Sequence, residues 1–298
     1  MISRLSQTCS TIPAPVRGAI WMILAAGLFA SLTALVRHVS ASVPPVEIVF
    51  FRSAFGLLFM LPWALSTGIA NLRTRRLGLH SLRALTALGS FICWYLAFAV
   101  MPIAEATALT FTAPLFATIG AVFILGEAVG PRRVAAIIIG FAGAMVILRP
   151  GIEVITLPAL LVLAGAAFYA ISVLAIKSLS RTESAGTIVI YLGILMTPMS
   201  LIPALFYWTL PSLETLAWLA GIGLVATFSQ LTLSRALRAA DATAVLPFEY
   251  SKLIFAAILG YAVFGEQPDL WTWTGATIIF LATLYTARRE AFSGTRQS

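Results

Sequence analysis

The sequence predicts an all-α integral membrane protein: ten transmembrane helices arranged as two five-helix inverted repeats. Three observations carry that prediction. Of the 298 residues, 60% are hydrophobic and 10% charged, where a soluble domain carries about 45–50% and about 25%. The apolar residues gather into runs near the ~17–25 residues that cross a hydrocarbon core. The chain also repeats itself. Ala104-Glu105-Ala106-Thr107-Ala108-Leu109 returns 136 positions later as Ala240-Asp241-Ala242-Thr243-Ala244-Val245. Gly126-Glu127 returns 139 positions on as Gly265-Glu266, and the run 25–36 resembles 164–175 at that same offset. So long a unit exceeds the ~20–50 residues of a solenoid repeat, and internal symmetry in a hydrophobic chain is a property of secondary transporters.

Ten spans follow, at about 18–36, 46–66, 82–100, 105–125, 133–148, 157–176, 185–207, 213–234, 242–263 and 270–287. They must be helices, because lipid offers backbone polar groups no partner and the alternation of a barrel strand is absent. The first is longer than the core of a cleavable signal, so it stays as a helix. The second holds Glu47 and Arg52, and the third Cys93, Trp94 and Tyr95. The fourth is rich in small residues that let backbones approach, and it carries Pro114; the short fifth has Gly140 and Gly143. The sixth brings Tyr169, the seventh Tyr191, and the eighth a polar patch of Thr227, Ser229 and Gln230. The ninth holds Pro247, Glu249, Tyr250 and Lys252. Gly126-Glu127 and Gly265-Glu266 read as helix-end turns.

An odd number of spans per repeat threads the second copy from the opposite side, so residues 1–150 and 151–298 form inverted units. Each unit can then adopt the shape of the other, and a solute site is expected between them near the midplane. Orientation comes from Lys and Arg. With the N-terminus in the cytoplasm, outer segments hold Arg37 and Arg149, and spans hold Arg52 and Lys252, leaving 15 of the 19, Arg83 included, on the inner side. That bias places both termini in the cytoplasm. It also accounts for the net charge of +8, so no nucleic-acid partner is expected.

Other classes fit less well. The two histidines, His38 and His80, lie at span ends, and no His-Glu-x-x-His or intramembrane aspartate pair occurs, so an enzyme is not expected. Cys9 and Cys93 have no neighbouring ligand set, and no metal or cofactor is expected. A channel would need a filter-like loop, and none interrupts the spans.

Charged side chains near a helix centre cost about 2.5–3.5 kcal/mol each, so they need a reason. Arg52 falls roughly 9 Å below the boundary of its span and Lys252 roughly 15 Å deep. Two readings stand for these groups. Glu249 and Lys252 can form a private ion pair, and Arg52 can pair with Glu47 or with carbonyls. Alternatively, Arg52 or Lys252 receives a carboxylate, phosphate or polar edge of a solute, and Glu249 is the coupling group that exchanges a proton. Trp94, Tyr95, Tyr169, Tyr191 and Tyr250 either line the pocket or pack in the core. Gln230 either faces the cavity or bonds between helices. The candidate solute-binding residues are thus Arg52, Trp94, Tyr95, Tyr191, Gln230, Glu249, Tyr250 and Lys252, with the fourth and ninth helices lining the pathway.

At these positions the chain resembles a known family. Glu47-Ile48-Val49-Phe50-Phe51-Arg52, the Ala104–Ala108 stretch followed by Pro114, and Gly126-Glu127 are similar to the drug/metabolite transporter superfamily, EamA-type branch. So are Pro247-Phe248-Glu249-Tyr250 and Phe264-Gly265-Glu266. The resemblance implies ten helices, the inner membrane of a bacterium, and alternating-access movement of a small organic solute. Two solute readings stay open: export of amino acids or related metabolites, taken first, and uptake of a planar vitamin such as riboflavin. A channel or a purely structural membrane protein is the reading from another class. The expected partners are the solute and the lipid bilayer, with oligomeric state, a homodimer included, left open.

Overall fold

The structure is a computed structural model that describes residues 14–68, 73–113, 116, 138–139, 141–143, 145–147, 156–239, 248–249 and 251–281. Its regular elements are α1 (Ala14–Val39), α2 (Pro45–Thr67), α3 (Leu77–Phe98), α4 (Ile103–Thr110), α5 (Leu157–Leu179), α6 (Ala185–Leu205), α7 (Leu213–Ala239), α8 (Ser251–Phe264) and α9 (Leu270–Leu281). No strand occurs among the described residues. Among the described residues, six helices (α1, α2, α3, α5, α6 and α7) are long and apolar enough to cross a membrane, and α8 and α9 are shorter apolar helices. Leu65, Leu85, Ile202 and Ile258 stand exposed on the outside, where lipid rather than water is their natural neighbour. The protein is an all-helical membrane protein.

The helix starts follow local chemistry. Thr156 caps α5 by accepting from the Ala159 N–H at 3.4 Å, and Ser184 caps α6 by accepting from Thr187 N at 3.0 Å. Asp269 Oδ1 accepts from Thr272 N at 2.8 Å at the head of α9. Each side-chain oxygen satisfies an N–H that the first helical turn leaves free. Gly265, at φ 67°, ends α8 in a left-handed conformation that costs glycine nothing. Its N–H bonds Tyr261 O and that of Glu266 bonds Gly260 O, both at 3.0 Å.

Two expected spans differ from the sequence reading, and at corresponding places. In the fourth, expected over 105–125, the continuous helix α4 ends at Thr110 and a turn follows at 111–112, with 113 and 116 helical again among the described residues beyond it. Thr110 Oγ1 bonds Thr107 O at 2.7 Å and Thr112 Oγ1 bonds Leu109 O at 2.8 Å. These hydroxyls compete with the helix ladder, and a proline at 114 has no N–H to give the Thr110 carbonyl. In the ninth, expected over 242–263, the described residues are a 3₁₀ turn at 248–249 and the helix Ser251–Phe264 after it. Pro114, Gly126-Glu127, Gly140, Arg149, Asp241, Pro247, Tyr250 and Cys9 lie outside the described residues, as does half of the fifth span.

The packing is reciprocal. α1 lies on α7, and their counterparts one repeat away, α5 and α3, lie on each other. α8 packs on α1 as α4 packs on α5, and α7 on α2 as α3 on α6. α2 meets its own counterpart α6, and α4 meets α8. Gly143 and Gly275 repeat this in miniature. A Cβ on Gly143 would fall 2.9 Å from Gly275 O, and one on Gly275 2.6 Å from Gly143 O. Only glycine lets two backbones approach so closely.

One pair of counterparts, α1 and α5, runs in opposite senses. His38, near the end of α1, stacks edge-on against Trp218 near the start of α7 at 5.3 Å. Trp21, near the start of α1, lies 4.9 Å from the Arg235 guanidinium near the end of α7. α1 and α7 are therefore antiparallel. Lys177, near the end of α5, donates to Leu237 O near the end of α7 at 3.3 Å. α5 thus runs with α7 and against α1, its own counterpart.

Candidate solute site

Each end of the bundle is fastened by a polar cluster. At one end Arg37 forms an ion pair with Glu266 and donates to Met101 O at 2.7 Å. Glu266 Oε2 also accepts from Ile103 N at 2.8 Å. At the other, Glu183 accepts from Thr74 Oγ1 at 2.5 Å and meets His80 Nε2 at 2.6 Å, while Arg76 donates to Ser178 O at 2.9 Å. Between these two ends lies a buried band of charge and aromatic rings.

Lys252, on the first turn of α8, is 6% exposed and donates through Nζ to Thr110 Oγ1 at 3.0 Å. Its ammonium is 5.6 Å from the Trp94 ring and 6.0 Å from that of Phe111. The end of α4 is thus joined to the start of α8. Glu249, in the 3₁₀ turn, lies near enough to Lys252 and the Tyr169 hydroxyl to interact with both. Among the described residues it forms no close ion pair with Lys252. The Trp94 and Tyr169 rings meet at 4.9 Å, and Trp94 Nε1 donates to Val162 O at 3.1 Å. Trp94 occupies space that Gly165 leaves: a Cβ there would fall 2.5 Å from Nε1.

Arg52, on α2, is 4% exposed, with its guanidinium 3.6 Å from the centre of the Phe91 ring and 5.8 Å from that of Tyr95. Its Nε and Nη1, the Tyr95 hydroxyl and the Ser90 hydroxyl are buried without a partner among the described residues. Glu47, an expected partner for Arg52, instead accepts from Thr209 N at 3.0 Å and Thr209 Oγ1 at 2.8 Å. It stabilises the turn before α7. Gln230, on α7, accepts at Oε1 from Arg83 Nη2 at 3.1 Å.

Arg83 requires a correction. The sequence reading put it in a cytoplasmic segment, but it is 1% exposed. Its Nη1 donates to Ile188 O, and its charge opposes that of Arg52 and faces the Tyr169 hydroxyl. The signal was present: 83, 87, 90 and 94 follow helical spacing, which puts Arg83 on the face that carries Ser90 and Trp94.

The structure therefore brings Arg52, Trp94, Tyr95, Gln230, Glu249 and Lys252 into one band, and adds Arg83, Phe91, Phe111 and Tyr169. Tyr191 is elsewhere. It stacks on His80 at 4.5 Å, at the Glu183 end. A cavity of about 350 Å³ opens between α1, α8 and α9, walled by Ile23, Phe111, Phe248, Ile254, Trp273 and Phe280. It is of small-molecule size and touches the charged band through Phe111. A second cavity, about 30 Å³, lies between α2, α6 and α7 beside Arg52 and Gln230. Three cations, one carboxylate and a row of rings can hold a polar solute with a flat face. No cluster of metal-ligand type occurs among the described residues.

Comparison with known proteins follows the same outline. The profile of the EamA-like transporter family matches twice, over residues 16–149 and 156–288. A riboflavin transporter of Vibrio cholerae is 36% identical over 289 residues, 95% of this chain and 97% of that one. An S-adenosylmethionine uptake transporter of Rickettsia prowazekii is 31% identical, covering 90% of this chain and 91% of that one. A pseudopaline exporter of Pseudomonas aeruginosa is 30% identical over 92% of this chain and 96% of its own length.

Proposed function

Because this chain belongs to the EamA-like transporter family, we propose that it is an alternating-access carrier for a flat heteroaromatic metabolite of the riboflavin class. That it handles small molecules and is not an enzyme follows from the family and its relatives. The finer reading is that two five-helix units, residues 1–150 and 151–298, are threaded oppositely through a bacterial inner membrane. The arginine-rich end, with Arg75, Arg76 and Arg181, faces the cytoplasm.

The observation that carries the solute class is the ring cluster beside buried donors: Trp94 and Tyr169 at 4.9 Å, with Lys252 near them and with Arg52 Nε, Arg52 Nη1 and the Tyr95 hydroxyl unpaired among the described residues. Aromatic faces bind a fused ring system by stacking, and the cations and hydroxyl suit its carbonyl and ring-nitrogen acceptors. The named riboflavin relatives support that reading. Amino-acid or related metabolite export, expected first from sequence, keeps one argument: Glu249 and Lys252 lie close together, as a zwitterion requires. Glu249 is the group assigned to proton exchange.

Counterflow decides between them. Proteoliposomes preloaded with riboflavin should accumulate labelled riboflavin saturably, with unlabelled riboflavin competing and amino acids not. Amino-acid counterflow without flavin counterflow overturns the solute class, and conductance at channel rates overturns the carrier.

A further inference from the structure

The two ends of the bundle carry the same contact twice. Arg37 and Lys177 each lie two residues before the end of their helix, α1 and α5. Ser40 Oγ donates to Arg37 O and Ser180 Oγ to Lys177 O, both at 2.8 Å, so the two helix ends close alike. Each cation then reaches a main-chain carbonyl far away in the chain. Arg37 donates to Met101 O, just past α3, at 2.7 Å, and Lys177 to Leu237 O, in the last turn of α7, at 3.3 Å. Met101 and Leu237 are 136 positions apart, the offset of the Ala104–Leu109 repeat. Each contact is therefore the other's counterpart. Because α1 and α7 are antiparallel, the two lie at opposite ends.

Both contacts cross one seam. α1 packs on α7 and α8, and α5 packs on α3 and α4, which makes two trios that the repeat exchanges. Among the described residues the trios meet chiefly where α4 touches α8. Arg37 reaches from the first trio to the end of α3 in the second, and Lys177 from the second trio to the end of α7 in the first. Glu266, just after α8, accepts from Ile103 N at the start of α4 and so crosses beside Arg37. The His80–Glu183 contact is different. It joins α3 to the turn after α5, inside one trio, and leaves the seam free to open.

We propose that Arg37 and Lys177 are the two gate cations of the transport cycle, each closing one end of the seam and each released when its own end opens. This rests on the alternating-access reading and adds which side chains bar each side. Both contacts are made in this structure, so the seam is shut at both ends. Rocking of one trio against the other about a central site breaks one cation–carbonyl contact and keeps its counterpart. Loss of Arg37 therefore favours opening at its own end, and loss of Lys177 favours opening at the other.

The test is sided thiol labelling of the full chain without solute. In a background lacking Cys9 and Cys93, Ser90→Cys places a reporter on α3 at a position that is 0% exposed and lies between the two gates. A small membrane-impermeant methanethiosulfonate is added to spheroplasts, then to inverted vesicles. Arg37→Gln should raise the labelling rate from outside about tenfold, the population change that losing one charge-assisted hydrogen bond implies, and should not raise it from the cytoplasmic side. Lys177→Gln should do the converse. Arg37→Lys and Lys177→Arg, which keep a donor, should label at the wild-type rate. Faster labelling from both sides, from neither, or from the same side in both glutamine variants overturns the proposal, as does a charge-keeping variant that labels like its glutamine partner. Should Arg37→Gln fail to fold, the Lys177→Gln arm decides alone. A reversed topology exchanges the two preparations for both variants together and leaves their effects opposed. Solute counterflow is read on the wild-type chain, so a protein that exchanges solute but shows neither sided effect loses these gates and keeps the carrier reading.

Discussion

Lys252 reaches from the start of α8 to donate to Thr110 at the end of α4, at 3.0 Å, so one hydrogen bond joins two helices that are each other's repeat counterparts. Transporters of this symmetry place solute at the interface between corresponding repeat elements. A charge-assisted bond of this kind is worth about 1.5–3 kcal/mol. Lys252→Met should therefore cut solute flux about 10–100-fold, while membrane insertion, read by the amount of purified protein, persists. Thr110→Val should cost about tenfold or less.

Trp94 is positioned by a glycine. Gly165→Ala should displace the ring without changing its chemistry. If flavin stacking is the basis of recognition, that variant and Trp94→Leu should both raise the half-saturating riboflavin concentration by about tenfold, since stacking on one aromatic is worth ~1–3 kcal/mol. Equal affinity in counterflow assays would remove Trp94 from the binding face.

Glu249 can be separated from binding. In wild-type proteoliposomes an imposed proton gradient should drive net accumulation. Glu249→Gln should lose that drive yet keep exchange at equal pH. Gradient-driven uptake that survives the substitution would assign coupling elsewhere.

The Arg37–Glu266 pair fastens one end. Arg37→Glu and Glu266→Arg should each lower apparent Tm and flux, whereas the double exchange should recover part of both. Contacting pairs typically show coupling of about 0.5–3 kcal/mol. A double variant as impaired as the sum of the singles would show that the pair does not act as a unit.

Orientation is checked by labelling. In a chain lacking Cys9 and Cys93, Ala41→Cys lies exposed at the Arg37 end and Arg75→Cys at the opposite one. A membrane-impermeant maleimide added to intact spheroplasts should modify only the first. Labelling of the second alone would invert the topology.

Much of this was legible in the chain. Sixty per cent apolar content admits no soluble fold, and the repeat of Ala104–Leu109 at 240–245 predicts halves that mirror each other's packing. Arg52, Trp94, Tyr95, Gln230, Glu249 and Lys252 could be picked out because polar and amphipathic groups in lipid are costly enough to notice one at a time.

What the linear order could not supply was partnership. Arg83 read as a cytoplasmic charge because its neighbours are basic, yet α6 and α7 close over it and supply Ile188 O and Gln230. Glu47 went to Thr209, 162 residues away, and Tyr191 to His80. Helix identity depends on forces within a few residues, so sequence determined it. Which buried charge meets which ring or carbonyl depends on how distant helices cross, and only the tertiary structure decided that.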